Sequence, residues 1–219
     1  MKRRRPARHS SSNDPVARLA DAARQLLAGQ IDAARAATDA VLGGHPNRTD
    51  ALELRAIIAL EEADFAAAQS ALDTAIAIEP TAKRKVAWAK AKLGQEQLED
   101  AKDALRDALV LDPTDPTIYE VEAAVHAAGD DFDAALAAAE GAVAIAPRRA
   151  ESHACLARAL LALDRADAAV EAYVAAVRAP DGDARIRRQV LSELTELHEK
   201  RGESGAAEAT RGLLAQLEG

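Results

Sequence analysis

The stretch Gly129–Pro147 reads GDDFDAALAAAEGAVAIAP, and earlier in the chain Glu62–Pro80 reads EADFAAAQSALDTAIAIEP. Both run from an acidic turn through a phenylalanine into an alanine-rich segment, and both end at proline. Alanine is the strongest helix former. Proline cannot continue the backbone ladder, and it drives the residue before it out of the helical region. Each stretch therefore predicts a helix with a fixed end. The same end recurs at Pro46, Pro80, Pro113, Pro147 and Pro180, spaced by 33 or 34 residues. The segments closing at the other three prolines read AGQIDAARAATDAVLGGHP, QEQLEDAKDALRDALVLDP and LDRADAAVEAYVAAVRAP.

Small residues hold fixed places inside these segments. Ala34, Ala68, Ala101, Ala135 and Ala169 align, as do Val41, Ala75, Ala108, Ala142 and Ala176, with Thr38, Leu72, Leu105, Ala139 and Tyr173 between them. The spacing i, i+4, i+7 is one face of a helix. A second helix precedes each: Asp14-Pro15 and Asp115-Pro116 read as an N-cap followed by proline at the first helical position. A turn holding Gly29, Gly94, Gly129 or Gly202 separates the two helices of a pair. The unit is helix, turn, helix, stop, and a fixed period of this length means an array in which each unit buries its apolar face against its neighbours.

Composition agrees. Hydrophobic residues make up 49% of the 219 but aromatics only 2%, so the core is aliphatic. Few glycines and prolines disfavour a many-turned β fold. One cysteine, Cys155, permits no internal disulfide, which suits a reducing compartment. The net charge is −8. The first fourteen residues, MKRRRPARHSSSND, run against it with Lys2, Arg3, Arg4, Arg5 and Arg8, so the body is more acidic than the sum. An acidic body is a poor platform for nucleic acid, where phosphate contacts dominate affinity. No run is apolar for long enough to span a bilayer, and the N-terminus lacks the apolar stretch of a secretory signal. Together these features lead to a cytoplasmic expectation. The abundance of alanine and arginine suggests a GC-rich bacterial source.

The repeat is similar to that of the tetratricopeptide repeat (TPR) family. That family sets large residues at repeat positions 4 and 11, a small one at 8, alanine at 20 and 27, and proline at 32. Repeat two supplies Leu52, Ala56, Ala59, Ala68, Ala75 and Pro80. Repeat four supplies Tyr119, Ala123, His126, Ala135, Ala142 and Pro147, and repeat five His153, Ala157, Leu160, Ala169 and Ala176. The resemblance implies an all-α, right-handed α-solenoid of stacked antiparallel helix pairs. It divides 15–219 into repeats at 15–48, 49–82, 83–115, 116–149 and 150–180, with a capping pair at 181–219, as one domain behind a basic tail at 1–14. Repeat three reads as having a shortened first helix and a longer turn. Phe65 and Phe132 read as plugs at the turn. The last helix, with Glu208, Arg211, Gln216 and Glu218, reads as a solvent-facing cap.

No catalytic set emerges. His126 and His153 fall where the family packs large residues. The His153–Cys155 spacing puts the two side chains on different helix faces. Cys155 reads as a small core residue and Trp88 as core. Asp130-Asp131-Phe132-Asp133 lacks the glycine and closing glutamate of a calcium loop. No phosphate loop is present, and no metal or cofactor is implied. What remains is a surface. In the family the first helices line a concave groove, with positions 2, 5, 9, 12 and 13 facing the ligand. Carried over, these are Asp50, Glu53, Ile57, Leu60 and Glu61, then Lys83, Val86, Lys90 and Leu93. Repeat four gives Thr117, Glu120, Ala124 and Ala127, and repeat five Glu151, Ala154, Arg158 and Leu161. The mixture, with more acid than base, suits a peptide or helix with apolar anchors and some basic residues. The clamp for acidic chaperone tails needs asparagine at position 6, where this chain has Leu54, Val121 and Cys155.

The expectation is a non-enzymatic scaffold or adaptor binding another protein's peptide or helix in that groove. The alternative is a self-assembling structural protein, surface-associated through its tail. The tail itself reads as a solvated arm, with contact to anionic lipid or nucleic acid, or docking into a neighbouring copy's groove, as the other readings.

Overall fold

The computed structural model describes residues 14–217. Twelve helices follow one another in these residues: α1 (Pro15–Leu27), α2 (Ile31–Gly44), α3 (Thr49–Glu61), α4 (Phe65–Ile78), α5 (Ala82–Gly94), α6 (Leu98–Leu111), α7 (Pro116–Ala128), α8 (Phe132–Ile145), α9 (Ala150–Ala162), α10 (Ala166–Arg178), α11 (Ala184–Lys200) and α12 (Ser204–Gln216). The one extended pairing among them is a two-residue bridge, Arg149 with Asp181. The fold is all-α and of TPR type. Two compact units are described, the first ending at Gln95 with α1 to α5, the second beginning at Glu96 with α6 to α12.

Local sequence sets each helix end. The Val16 amide donates to Asp14 Oδ1 at 3.0 Å and the Thr117 amide to Asp115 Oδ1 at 2.9 Å, each just ahead of a proline at the first helical position. Asp64 and Asp131 cap α4 and α8 in the same way, accepting from Ala67 and Ala134. At the other end, α2, α4, α6, α8 and α10 each stop two residues before Pro46, Pro80, Pro113, Pro147 or Pro180. The linking residues His45, Glu79, Asp112, Ala146 and Ala179 all have ψ between 69° and 129°, outside the helical region, as a following proline demands.

The turns inside the pairs differ from the sequence reading. Each has three residues, and the middle one is left-handed: Gly29 (φ 74°), Ala63 (56°), Glu96 (60°), Asp130 (59°), Asp164 (58°) and Gly202 (73°). Four of the six are not glycine. Gly94, read as a turn glycine, instead ends α5, and Gly129 is the C-cap of α7. Repeat three is therefore regular: α5 has 13 residues, as do α3, α7 and α9. Gly94 is needed for close approach. A Cβ there would lie 2.3 Å from the Phe65 ring, which packs over the end of α5.

The core is built from the aligned small residues. Ala34, Ala68, Ala101, Ala135 and Ala169 have no exposed surface, nor have Ala75, Ala108, Ala142 and Ala176. Thr38, Leu72, Leu105, Ala139 and Tyr173 between them are buried too. In the first unit α1 packs on α2 and α3 on α4, with α3 also touching α1 and α5; in the second, α7 packs on α8, α9 on α10 and α11 on α12, with α9 touching α7 and α11. Alanine at the crossings lets the axes approach closely, so dispersion contacts accumulate along each helix. Leu72 and Leu105 add larger burial, about 1.5–3 kcal/mol each. Glu208 and Arg211 of α12 face solvent as expected, and Glu218 lies outside the described residues.

Two outcomes are expected. Ala135→Leu overpacks a fully buried crossing and should cost ~1–3 kcal/mol in urea melts; an unchanged midpoint would mean the crossing is looser than its burial suggests. Ala63→Gly relieves a left-handed alanine and should raise stability by about 0.5–1 kcal/mol, whereas the same change at Ala67, inside α4, should lower it.

Candidate functional site

The positions carried over from the repeat pattern fall on the first helices of the pairs. In the first unit Asp50 is exposed at the start of α3 and pairs with Arg48 at 2.8 Å. Ile57 and Leu60 are half-buried, and Lys83 and Lys90 are exposed on α5. In the second unit Thr117, Ala127, Glu151 and Leu161 are half-buried, while Ala124 and Arg158 are exposed. Two positions depart from the expectation. Val86 and Ala154 are 3% and 0% exposed, turned into the core where adjacent first helices meet, so neither can touch a ligand. Lys2, Arg3, Arg4, Arg5 and Arg8 lie outside the described residues.

The charged positions do something the sequence reading missed. Glu53 accepts from Arg84 Nε at 2.5 Å, one helix pair further on. Arg84 is 5% exposed and also donates to Glu79. Glu120 accepts from Arg149 Nε at 2.9 Å and from Ser152 Oγ at 2.7 Å. Arg158 donates both arms of its guanidinium to Glu193 of α11, at 2.9 and 3.0 Å. The same carboxylate accepts from Tyr173 Oη at 2.9 Å and Gln189 Nε2 at 3.0 Å. These partners are 31, 29, 32 and 35 residues apart in sequence, each near one repeat length. Opposite charges one repeat apart were the signal that could have found them. Half-buried, geometrically fixed pairs of this kind tie neighbouring repeats together. They also leave Glu53 and Glu120 with little charge to offer a ligand.

The second unit's first helices enclose a cavity of about 470 Å³. Much of its lining is small: Ala123, Ala124 and Ala127 of α7 with Cys155 and Ala159 of α9. Glu120 and Glu151, and Arg158, Arg185 and Gln189, supply the polar part of its lining. One oxygen of Glu151 is buried without a hydrogen-bond partner, 3.7 Å from Arg149 Nε. The arrangement offers an apolar seat with charged groups in its lining, as a binding surface needs.

The reactive groups are held quiet. Burial, and then the Glu120 charge, push the Cys155 thiol up to about 11, so it stays protonated at neutral pH. Its sulfur lies 3.7 Å from the Glu120 carbonyl oxygen. His153 Nε2 sits 2.8 Å from the Pro147 carbonyl, and His126 lies 3.7 Å from Asp131. The buried His198, which the sequence did not single out, has Nδ1 2.6 Å from Glu203. Asp131 caps α8 and Asp130 forms its turn, so the acidic run has structural work. Trp88 is half-buried rather than core, its Nε1 donating to Asp73 at 2.7 Å with Lys92 over the ring. Among the described residues no group of three or more His, Cys, Asp or Glu is placed to hold a metal, and no helix is long and apolar enough to cross a membrane.

Burial works to raise the Glu193 carboxyl, but hydrogen bonds from Arg158, Gln189 and Tyr173 outweigh it and hold the carboxyl below its ordinary range. A depressed carboxylate contributes stability above its unfolded pKa, ~4.3, and loses it as pH falls through the folded value. Glu193→Gln should therefore be less stable than the wild type at pH 7, with the gap closing on acidification toward pH 3. A gap independent of pH in urea melts would show that the carboxylate charge is not what matters.

No family model and no curated protein matches the sequence. Solved structures do. TTC0263, a thermophilic TPR protein of Thermus thermophilus, matches with a TM-score of 0.73 at 23% identity over 83% of this chain and 99% of its own. PilF of Pseudomonas aeruginosa matches with a TM-score of 0.64 at 17% identity, over 93% of this chain and 91% of its own. Cut9, in the APC/C hetero-tetramer Cut9–Hcn1, matches with a TM-score of 0.73 at 19% identity over 93% of this chain, which spans 40% of Cut9. At these identities the likeness is one of fold.

Proposed function

We propose that this chain, whose fold is that of the TPR proteins, is a non-enzymatic scaffold or adaptor that binds a peptide or helix of another protein along its first helices. The observation that carries the reading is the 470 Å³ cavity between α7, α9 and α11, lined by alanines and by Glu120 and Arg158, which inter-repeat pairs already hold in place. A small-residue lining lets a partner's backbone or aliphatic side chain come close. Side chains already held by hydrogen bonds lose little freedom when a ligand arrives, which favours binding. Catalysis has less support: the cavity's one thiol is protonated at neutral pH. Cut9, solved inside a hetero-tetramer, is an example of this fold within a protein assembly. A continuous array over 15–219 and a cytoplasmic setting belong to the same proposal.

The test must spare Glu120 and Arg158, since replacing either breaks a repeat junction. Ala124→Trp fills the seat from an exposed position and leaves the pairs intact. A photo-cross-linker is placed at Ala124 and, as control, at the exposed Glu140 of α8. A partner that links through 124, does not link through 140, and is lost with Ala124→Trp at unchanged helical content is the expected result. A partner that links through 140 and survives Ala124→Trp would move the binding face to the second helices.

A further inference from the structure

The strongest local charge in the first unit lies on α5, AKRKVAWAKAKLG, which holds Lys83, Arg84, Lys85, Lys90 and Lys92 and no acid, in a chain of net charge −8. Two of the five are spent inside. Arg84 is locked on Glu53 and Glu79, and Lys92 is 7% exposed with its ammonium 4.7 Å from the centre of the Trp88 ring. Lys83 and Lys90 point outward; the Lys83 side chain is 74% exposed. They are two turns apart on one face, about 10 Å along the axis at 1.5 Å per residue. Between them Ala87 lines a shallow cleft with Ile57 of α3. The one carboxylate in that cleft, Glu53, is already held by Arg84 at 2.5 Å and stands 3.7 Å from Lys83.

The acids of this face are engaged: Asp50 with Arg48, Glu53 with Arg84 and, at 3.7 Å, with Lys83, and Glu61 is not free either. With Lys90 exposed and Lys83 only loosely held, the charge this face offers a ligand is positive, whereas counting its acids in the sequence suggested the reverse. We infer that the α3–α5 face of the first unit docks an acidic amphipathic helix, with carboxylates two turns apart for Lys83 and Lys90 and an aliphatic side chain between them for the Ile57–Ala87 cleft. Charge complementarity picks this occupant: a helix presenting Glu at i and i+7 with Leu at i+3 or i+4 matches both the spacing of the lysines and the apolar strip. The chain's own arginine-rich N-terminus has the wrong sign for it. The inference rests on the reading of the first helices as the docking face, and names the ligand chemistry for one part of it.

The experiment uses the full chain and three labelled, stapled helices followed by fluorescence anisotropy at low salt. One carries Glu, Leu and Glu at the stated spacing, the second has Lys in place of both Glu, and the third has Ser in place of Leu. The proteins are the wild type, Lys90→Glu, Lys83→Glu/Lys90→Glu and Ala124→Trp. Lys90→Glu alone leaves the Glu53 surroundings untouched and guards against a folding artefact. The expected result is that the wild type binds the Glu helix at least tenfold more tightly than the other two. Lys90→Glu should weaken that binding several-fold and the double reversal tenfold or more, with the Lys helix gaining affinity for the double reversal. Equal binding of the Glu and Lys helices, or indifference to both lysine reversals, overturns the inference. Loss of the Glu helix with Ala124→Trp but not with the lysine reversals would place it on the second unit, and also overturns it while leaving the docking-face reading standing. Anisotropy that tracks only the protein's own self-association, measured by light scattering over the same concentrations, would assign the face to a second copy and overturn it too.

Discussion

Everything in this molecule follows from how closely its helices can cross. Ala34, Ala68, Ala101, Ala135 and Ala169, and again Ala75, Ala108, Ala142 and Ala176, sit at the crossings with no exposed surface. Each such residue buries little area, so no single contact dominates. What holds the repeats is the sum of many short-range dispersion contacts that only close crossings permit. Aromatic residues, which would hold helices further apart, make up 2% of the chain. Tyr173 is the instructive exception. It is accommodated because its hydroxyl reaches Glu193, so that one bulky ring serves both core and surface.

A core of alanine carries little information about which face meets which neighbour, and the charged residues supply it. Arg84 with Glu53, Arg149 with Glu120 and Arg158 with Glu193 each join one repeat to the next with defined geometry. Their partial burial makes the geometry matter more than it would on an open surface, where ion pairs contribute little. The last two of these pairs also hold Glu120 and Arg158 in the lining of the second unit's cavity. Rigidity at the candidate site is thus a by-product of how the repeats are joined.

Much of the fold was legible in the sequence because its signals are local. Proline at a fixed period, aspartate before proline, and alanine at i and i+7 each act within a few residues of where they stand, and the helices begin and end accordingly. The turns were harder. A left-handed residue is normally sought as glycine, but here Ala63, Asp130 and Asp164 take the strain because the helices on either side, α3 on α4, α7 on α8 and α9 on α10, pack against each other. Gly94 was visible but misassigned, since its reason is a ring from Phe65, far away in sequence. The face of the first helices was legible by register, yet its chemistry was not. Whether Glu53 is free to meet a ligand depends on Arg84, and no local pattern reports that.

The junction pairs also give the repeats an identity that their cores lack. The alanine crossings are nearly interchangeable from one repeat to another; the junctions are not. One is a buried arginine sharing two carboxylates, the next an arginine and a serine converging on one glutamate, and the third a two-armed guanidinium with tyrosine and glutamine in attendance. Each key has its own lock. Moving a repeat to another place in the order would leave its hydrophobic surfaces satisfied and its charges facing strangers. Within each unit the helix pairs are spelled as well as stacked, and a pair moved or duplicated there would meet a junction written for a different neighbour.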